Sequence, residues 1–178
     1  MMTSRPKRKV LIPEGPFVAI DFETADYLGD SACAVALIRV DDMKIVERKS
    51  CLIRPPRPYF QFTYIHGIKW SDVKDQPSFA DLWPQLSTML EGATFLAAHN
   101  APFDRNVLRT CCTAAGLPMP AQPFVCTVQL ARKTWGLRRA KLPDVCRHLG
   151  LALKHHDAGS DAEACAGIVL AAKRALAS

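Results

Sequence analysis

Apolar residues run almost unbroken through two N-terminal segments and alternate with polar residues in a third. Phe17 to Phe22 and Ala32 to Val40 are apolar enough to be buried strands. Lys44 to Ile53 alternates apolar and polar positions, as in a half-exposed strand. Only DDM separates the last two segments, and its turn-forming residues Asp41 and Asp42 predict a hairpin. The pattern therefore predicts three antiparallel strands.

The rest of the chain alternates between helical periodicity and short apolar runs. Three prolines in RPPRPYFQFTYIHGI exclude a regular helix or central strand over the first half of that segment. Ser78 is the expected cap of a helix ending at Gly92, TFLAAHN is a short strand, and APFDRNVLRTCCTAAG is a helix closed by Gly116. FVCT is a last strand, followed by three helical segments, TVQLARKTWG, LPDVCRHLG and SDAEACAGIVLAAKRALAS. This order predicts a three-layer α/β fold, a mixed five-stranded sheet flanked by helices.

Length and composition agree with a soluble protein of one domain. A chain of 178 residues can bury a core without disulfides or a structural metal. Its 49% hydrophobic and 22% charged residues exclude the disordered and membrane classes. The seven cysteines form no CxxC pair, which argues against a zinc site or a disulfide framework. No apolar run is long enough to span a bilayer, so we expect a cytoplasmic protein with no membrane partner.

Much of the formal net charge of +6 lies at the N-terminus. Arg5, Lys7, Arg8 and Lys9 supply four of these charges, which leaves about +2 on the rest of the chain. We predict a flexible basic leader over residues 1–16 and a single domain over residues 17–178. The leader is either a nucleic-acid or localisation arm or a solvated extension, and the sequence leaves both open.

Polar residues cluster where predicted strands end. Asp21 and Glu23 have the two-residue spacing that points both side chains to one side of a strand. The apolar run before them indicates a central strand that opens into a crevice. In AAHNAPFD, Asp104 falls in the first turn of a helix, just after His99 and Asn100. Each group also has an ordinary explanation, as a solvated strand end or a helix-capping acid.

A third polar group, HHDAGSDAEA, places His156 five residues before Asp161. We expect Ser160 to cap the final helix, with Asp161 in its first turn and His156 in the loop before it. We expect His155 and Asp157 to be ordinary loop residues, because neighbours on an extended loop point apart. The group adds one carboxylate and one imidazole to the candidate site.

Four acids at the ends of core elements repel one another unless they are protonated or hold cations. These acids are Asp21, Glu23, Asp104 and Asp161. Hard oxygen ligands favour Mg²⁺ or Mn²⁺ over zinc. Two such ions, about 4 Å apart, stabilise the attacking and leaving oxygens of a phosphoryl displacement. His156, with an ordinary pKa of about 6.5, can take a proton from the attacking water near neutral pH.

The motifs DFET, HNAPFD and HDAGSD, in this order, resemble the three exonuclease motifs of the DEDDh family of 3′→5′ exonucleases. That family includes the proofreading subunit of bacterial replicative DNA polymerase. The likeness runs from Phe17 to about Ala172, and YIHGI resembles the family's Ile-His-Gly-Ile region. The chain departs from the family at Cys126 and Thr127, where Asp-Thr is more usual. The resemblance implies a ribonuclease-H-like fold.

The resemblance also implies the reaction and the roles of individual residues. Nucleoside 5′-monophosphates would be released from a 3′ end, with His156 as the general base. Two Mg²⁺ ions, which Mn²⁺ can replace, would be held by Asp21, Glu23, Asp104 and Asp161. The backbone amide of Thr24 would meet the terminal 3′-hydroxyl. Four other residues would border the last nucleotide: Phe22, His66, Asn100 and Phe103.

We expect a single-stranded 3′ end as substrate, because only an unpaired terminus can enter a metal-binding pocket deeply enough to place its phosphate there. Aromatic side chains that either stack on bases or pack in loops are Tyr27, Tyr59, Phe60, Phe62 and Tyr64. Cations that form either a track for the nucleic-acid backbone or a solvated face are Arg132, Lys133, Arg138, Arg139 and Lys141. DNA is favoured over RNA by the resemblance to the proofreading subunit.

Two other functions compete with a DNA exonuclease. One is an RNA-processing 3′→5′ exoribonuclease, and the other is a non-catalytic nucleic-acid-binding module of the same fold. The intact set of four acids and His156 argues against the module, since loss of any one ligand would suffice to disable catalysis. A free-standing enzyme is favoured over a stable replicase subunit, because the chain ends soon after the last motif. A polymerase or repair partner on the domain surface, and a homodimer, stay open.

Overall fold

The computed structural model describes residues 12–177. Strands β1 (Phe17–Thr24), β2 (Ala32–Asp41) and β3 (Lys44–Leu52) pair antiparallel, and β4 (Phe95–Ala98) and β5 (Phe124–Cys126) continue the sheet in parallel. The strand order is β3-β2-β1-β4-β5. The predicted mixed five-stranded sheet is confirmed, and β1 is the strand at which its pairing changes from antiparallel to parallel.

Helices cover both faces of the sheet. In chain order they are α1 (Thr63–His66), α2 (Trp70–Val73), α3 (Phe79–Leu86), α4 (Ala101–Ala115), α5 (Thr127–Trp135), α6 (Leu142–Leu149) and α7 (Ala158–Ala177). As predicted, Ser78 caps α3, in a capping box with Asp81. After Pro84 this helix tightens into a 3₁₀ turn, Ser87–Leu90. The single-turn helices α1 and α2 were not predicted.

Successive side chains of β1 pack into two separate cores. Phe17 and Ala19 belong to the core beneath α5, α6 and α7, whereas Val18 and Ile20 belong to the core beneath α3 and α4. Phe17 also stacks on Phe95 of β4, with ring centroids 4.9 Å apart. This alternation follows from the period of two along a strand. The predicted three layers are therefore confirmed, with β1 buried between the two layers of helices.

The hairpin between β2 and β3 turns over Asp42 and Met43. Both residues have positive φ, 45° and 64°, as in the type I′ turn that matches the twist of paired strands. Asp41 and Lys44 close the ladder on either side of the turn. The predicted hairpin is confirmed, and it fixes the register of the antiparallel half of the sheet.

Part of the segment predicted as a leader contacts the domain. Ile12 packs against the core beneath α5, α6 and α7, and the carbonyl oxygen of Pro16 accepts a hydrogen bond from the amide of Thr94 at 2.8 Å. The basic side chains at positions 5–9 lie outside the part of the chain that the structure describes. The division into leader and domain stays a prediction. Over residues 12–177, none of the helices is both long and apolar enough to cross a membrane.

Candidate active site

Asp21 and Glu23 lie on the face of β1 that also carries Phe17 and Ala19, toward α7. The pairing of β1 with β2 becomes irregular between Glu23 and the next residue, and such irregularities bend a strand and redirect its side chains. Asp161 comes from the first turn of α7, as predicted. One carboxylate oxygen from each of Asp21, Glu23 and Asp161 lies within 4.8 Å of the others. The structure thus brings together three of the four predicted metal ligands.

Asp104 lies outside this group of three, in the first turn of α4. Its side chain is buried, and its Oδ1 accepts a hydrogen bond from the amide of Phe22 at 3.0 Å. Asn100 precedes α4 in the left-handed region with φ of 67°, and Pro102 lies in the first turn of the helix. The corner between β4 and α4 therefore places the Asp104 carboxylate directly against the backbone of β1.

The four carboxylates are held in surroundings that disfavour negative charge. Burial, and then the charge of Asp161, raise the pKa of Glu23 to about 7. Burial raises the pKa of Asp104 to about 8, although the amide of Phe22 opposes the rise. The pKa of Asp21 lies well above its usual range, through burial first and then the charges of the other acids. The group must therefore hold protons or bind cations at neutral pH.

The two oxygens of Asp161 have different surroundings. Oδ2 accepts hydrogen bonds from Nδ1 of His155 at 3.0 Å and from the amide of His156 at 3.2 Å. Oδ1 is buried and has no hydrogen-bond partner within residues 12–177. Burial raises the pKa of this carboxyl, and both histidines oppose the rise. A buried acceptor without a partner, beside two other carboxylates, fits a ligand of a divalent cation.

The side chains of His155 and His156 do not point apart. Their rings stack, with centroids 3.7 Å apart and planes inclined by 26°. The backbone of His156 has φ of 66°, and this left-handed conformation brings two successive side chains to the same side. The expectation that His155 is an ordinary loop residue is wrong, because it contacts both a predicted metal ligand and the predicted general base.

The start of α7 also differs from the prediction. The helix begins at Ala158, and the amide of Ser160 donates to Oδ1 of Asp157 at 3.0 Å. Asp157 is thus the capping residue, and the prediction that Ser160 caps this helix is wrong. The hydroxyl of Ser160 instead accepts a hydrogen bond from the amide of Lys154 at 2.7 Å. These two contacts fix the loop that carries both histidines to the first turn of α7.

An open cavity of about 620 Å³ lies over the acids. Its negatively charged and imidazole side chains are Asp21, Glu23, Asp161, His99, His155 and His156. Its positively charged side chains are Arg132, Arg138, Arg139 and Lys141. Three of the predicted substrate-binding residues also line it: Phe22, Asn100 and Phe103. Of the predicted cationic track, only Lys133 is not part of the lining. The cavity therefore combines an acidic group with a basic wall.

Thr24 and His66 do not line this cavity but contact each other. The amide of Ile68 donates to Nδ1 of His66 at 3.1 Å, so the ring proton lies on Nε2. Nε2 then donates to the carbonyl oxygen of Thr24 at 3.1 Å. Burial lowers the pKa of His66, which keeps its ring neutral. His66 thus holds the end of β1 in place, and the substrate contacts of both residues stay predictions.

The loop after β1 is fixed by Arg57. Its guanidinium makes four hydrogen bonds of 2.7 to 3.2 Å to the carboxylates of Asp26 and Asp30. Tyr27 lies between these two acids in the sequence, and 79% of its surface is exposed. Its ring meets that of Phe62 edge-on, with ring centroids 4.7 Å apart. Two more exposed rings follow, Tyr59 and Tyr64, while Phe60 is half-buried. Stacking of bases on this aromatic surface stays a prediction.

A family model described as an exonuclease, RNase_T, matches residues 18–169. PolC-type DNA polymerase III of Caldanaerobacter subterraneus subsp. tengcongensis is 30% identical over 162 residues, which are 88% of this chain and 11% of that protein. Exodeoxyribonuclease 10 of Escherichia coli (strain K12) is 38% identical over 117 residues, which are 65% of this chain and 47% of that protein. The chain thus spans less than half the length of these relatives.

Solved structures agree with these matches. Exonuclease X in complex with 5′ overhanging duplex DNA is 30% identical with a TM-score of 0.73, covering 89% of this chain and 91% of that one. The nuclease domain of 3′hExo, a DEDDh family member bound to rAMP, has a TM-score of 0.78 at 15% identity and covers 90% and 92% of the two chains. The ribonuclease-H-like fold and the resemblance to DEDDh exonucleases are confirmed. Because the exonuclease model covers most of its length, the chain belongs to the RNase_T exonuclease family.

Proposed function

We propose that this chain removes nucleotides from the 3′ end of single-stranded DNA as 5′-monophosphates, using two divalent cations. The observation that carries this proposal is the buried Oδ1 of Asp161, which has no hydrogen-bond partner among residues 12–177 and lies beside the carboxylates of Asp21 and Glu23. Membership of an exonuclease family supports the reaction class. The duplex DNA bound to exonuclease X and the name of exodeoxyribonuclease 10 support DNA as the substrate.

The cations are proposed to be Mg²⁺, with Mn²⁺ as a substitute. An all-carboxylate donor set suits hard cations that prefer oxygen ligands. The ligands would be Asp21, Glu23, Asp104 and Asp161. Four ionised carboxylates in a buried site are balanced by two divalent ions, which supports two ions rather than one. When bound, such ions stabilise charge on the attacking and leaving oxygens of the phosphodiester.

His156 is the proposed general base. Its side chain is exposed and lines the cavity beside Asp161. Although the side chain is exposed, the surrounding protein removes part of its hydration; this partial desolvation, and then the neighbouring charge of His155, lower its pKa. The ring is therefore neutral at neutral pH and can accept the proton that the attacking water releases.

The substrate path is proposed from the charge distribution of the cavity. Arg132, Arg138 and Lys141 line it without an ion pair to any residue of the described chain, whereas Arg139 lies 3.9 Å from Asp144. Cations that are not neutralised by the protein are available to phosphates of an entering strand. The last nucleotide would then lie against Phe22, Asn100 and Phe103, near the acids, with the amide of Thr24 and the ring of His66 at the end of β1.

Partners and location are proposed more coarsely. The PolC-type polymerases among the relatives support a polymerase or repair partner. A cytoplasmic location stays a prediction from the sequence. A homodimer is the simplest alternative to a monomer, and size-exclusion chromatography with light scattering distinguishes the two.

The test uses 5′-labelled single-stranded DNA and RNA of the same sequence. We expect purified protein with Mg²⁺ or Mn²⁺ to shorten DNA stepwise from its 3′ end, and chelation with EDTA to stop the reaction. Asp21→Ala should be inactive, whereas Asp75→Ala, which removes an exposed acid that does not line the cavity, should cut normally. Faster shortening of RNA would identify an exoribonuclease. Absence of shortening, or a fully active Asp21→Ala, would contradict the enzymatic function and favour the non-catalytic binding module.

A further inference from the structure

His155 contacts two groups of the candidate site through different parts of one side chain. Its Nδ1 lies 3.0 Å from Oδ2 of Asp161, and its ring face stacks on His156 at 3.7 Å. An ionised Asp161, which is the form that binds a metal ion, can only accept a hydrogen bond, so the proton at this contact then lies on Nδ1 of His155. The same imidazole therefore donates a hydrogen bond in its plane and offers a flat surface across it.

The loop that carries His155 is held at both ends. The amide of Lys154 donates to the hydroxyl of Ser160 at 2.7 Å, and the amide of Asp157 donates to the carbonyl oxygen of Lys154 at 3.2 Å. The side chain of His155 is 38% exposed, whereas that of Asp161 is 7% exposed. The partly exposed side chain of His155 thus contacts the buried carboxylate of Asp161, and backbone hydrogen bonds hold the loop that carries His155.

The hydrogen bonds to Asp161 leave its two oxygens unequal. Oδ2 accepts from His155 and from the amide of His156, while Oδ1 is buried without a partner in the described part of the chain. A donor that occupies one carboxylate oxygen fixes the plane of the carboxylate and so directs the other oxygen. The stacked ring likewise restricts the plane in which the imidazole of His156 lies.

We propose that His155 is a positioning residue, which orients Asp161 as a metal ligand through Nδ1 and orients His156 through its ring. This inference rests on the proposed function, because it assigns the metal ligand and the base as above. Nothing in the HHDAGSDAEA pattern requires the first histidine for metal or proton chemistry. The role comes from the left-handed backbone at His156, which places the two rings together.

Two substitutions separate the two contacts. His155→Asn keeps a donor at the place of Nδ1 but removes the ring, whereas His155→Phe keeps a ring but removes the donor. The matched control is His148, an exposed histidine near Trp135 that does not line the cavity, exchanged for Asn and for Phe. Mn²⁺ binding is measured by isothermal titration calorimetry without nucleic acid, and turnover is measured at saturating Mn²⁺. Thermal unfolding checks that each variant is folded.

We expect His155→Phe to weaken Mn²⁺ binding by about 10- to 100-fold, and His155→Asn to bind Mn²⁺ within about three-fold of wild type. At saturating Mn²⁺ we expect His155→Asn to lower kcat about ten-fold with little change in KM, because the base is no longer held. Both His148 variants should behave as wild type.

Wild-type Mn²⁺ affinity in His155→Phe would overturn the proposal that His155 orients Asp161. Wild-type kcat in His155→Asn would overturn the proposal that its ring orients His156. Equal loss of Mn²⁺ affinity in both variants would mean that His155 is itself a ligand, which also overturns the proposal. The titration uses no nucleic acid. Wild-type protein that binds Mn²⁺ but leaves DNA intact would therefore contradict the proposed function separately.

Discussion

Replacing Asp104 by Asn should stabilise the metal-free protein at alkaline pH and abolish nuclease activity. Asp104 is 1% exposed, and burial raises its pKa from 3.8 to about 8. Between these two values the folded protein keeps a proton that the unfolded chain releases. The free energy of unfolding therefore falls as the pH rises from about 4 to about 8. A neutral amide at this position removes that dependence.

The size of the effect follows from the same pKa. The gap between 3.8 and about 8 corresponds to roughly 6 kcal/mol at about 1.4 kcal/mol per pH unit. This is an upper limit, because the neighbouring acids share protons with Asp104. Asn can still accept from the amide of Phe22 through Oδ1, but its buried NH₂ group costs about 1–3 kcal/mol without a partner. We expect a net gain of about 2–4 kcal/mol at pH 8.5 and no gain at pH 4.

Urea unfolding in EDTA between pH 4 and pH 8.5 measures this effect for wild type and Asp104→Asn. Asp75→Asn is the control, because Asp75 is an exposed acid whose removal should change stability little at any pH. Added Mn²⁺ should stabilise wild type more than the variant, since it binds the folded state. An Asp104→Asn protein that is no more stable than wild type at pH 8.5, or whose advantage does not grow with pH, would refute the reasoning.

Two further variants, a single and a double one, test the base and the basic wall. His156→Ala should lower kcat by about 100-fold or more while metal-dependent binding of an oligonucleotide, followed by fluorescence anisotropy, is kept; equal loss of binding would make His156 a substrate contact instead. Arg138→Ala combined with Lys141→Ala should raise KM and reduce the slope of log affinity against log salt by about 0.7 for each lost phosphate contact. Lys133→Ala, outside the cavity lining, should change neither quantity, and an equal effect would contradict the proposed substrate path.

The strands and the helix starts that depend on local chemistry could be predicted. The apolar run of β1, the alternation in β3 and the capping box at Ser78 all act within a few residues. The spacing of Asp21 and Glu23 likewise gave their common face. Long-range geometry was not accessible in the same way. The sequence predicts that Asp104 lies in the first turn of a helix. It does not show that the side chain of Asp104 is buried against the amide of Phe22, which is 82 residues away in the chain.

The predictions that the structure contradicts, and the helix that was not predicted, have local physical causes. An extended backbone would point the side chains of His155 and His156 apart and make His155 an ordinary loop residue, but the left-handed φ of His156 turns both side chains to the same side. Ser160 and Asp157 are both good capping residues three positions apart, and the sequence does not show which of them precedes the first helical turn. The four-residue helix α1 is too short for a periodic pattern to reveal.

The separation of the site along the chain has a consequence for synthesis. Asp21, Glu23 and Asp104 emerge from the ribosome well before Asp161 and His156, which are fixed only when α7 packs across β1 and β2. On the proposed chemistry, a nascent chain that ends before His156 lacks one ligand and the base. It would therefore be unable to cut nucleic acid until the last helix has been synthesised. Packing of α7 on the sheet is then the step that completes the active site.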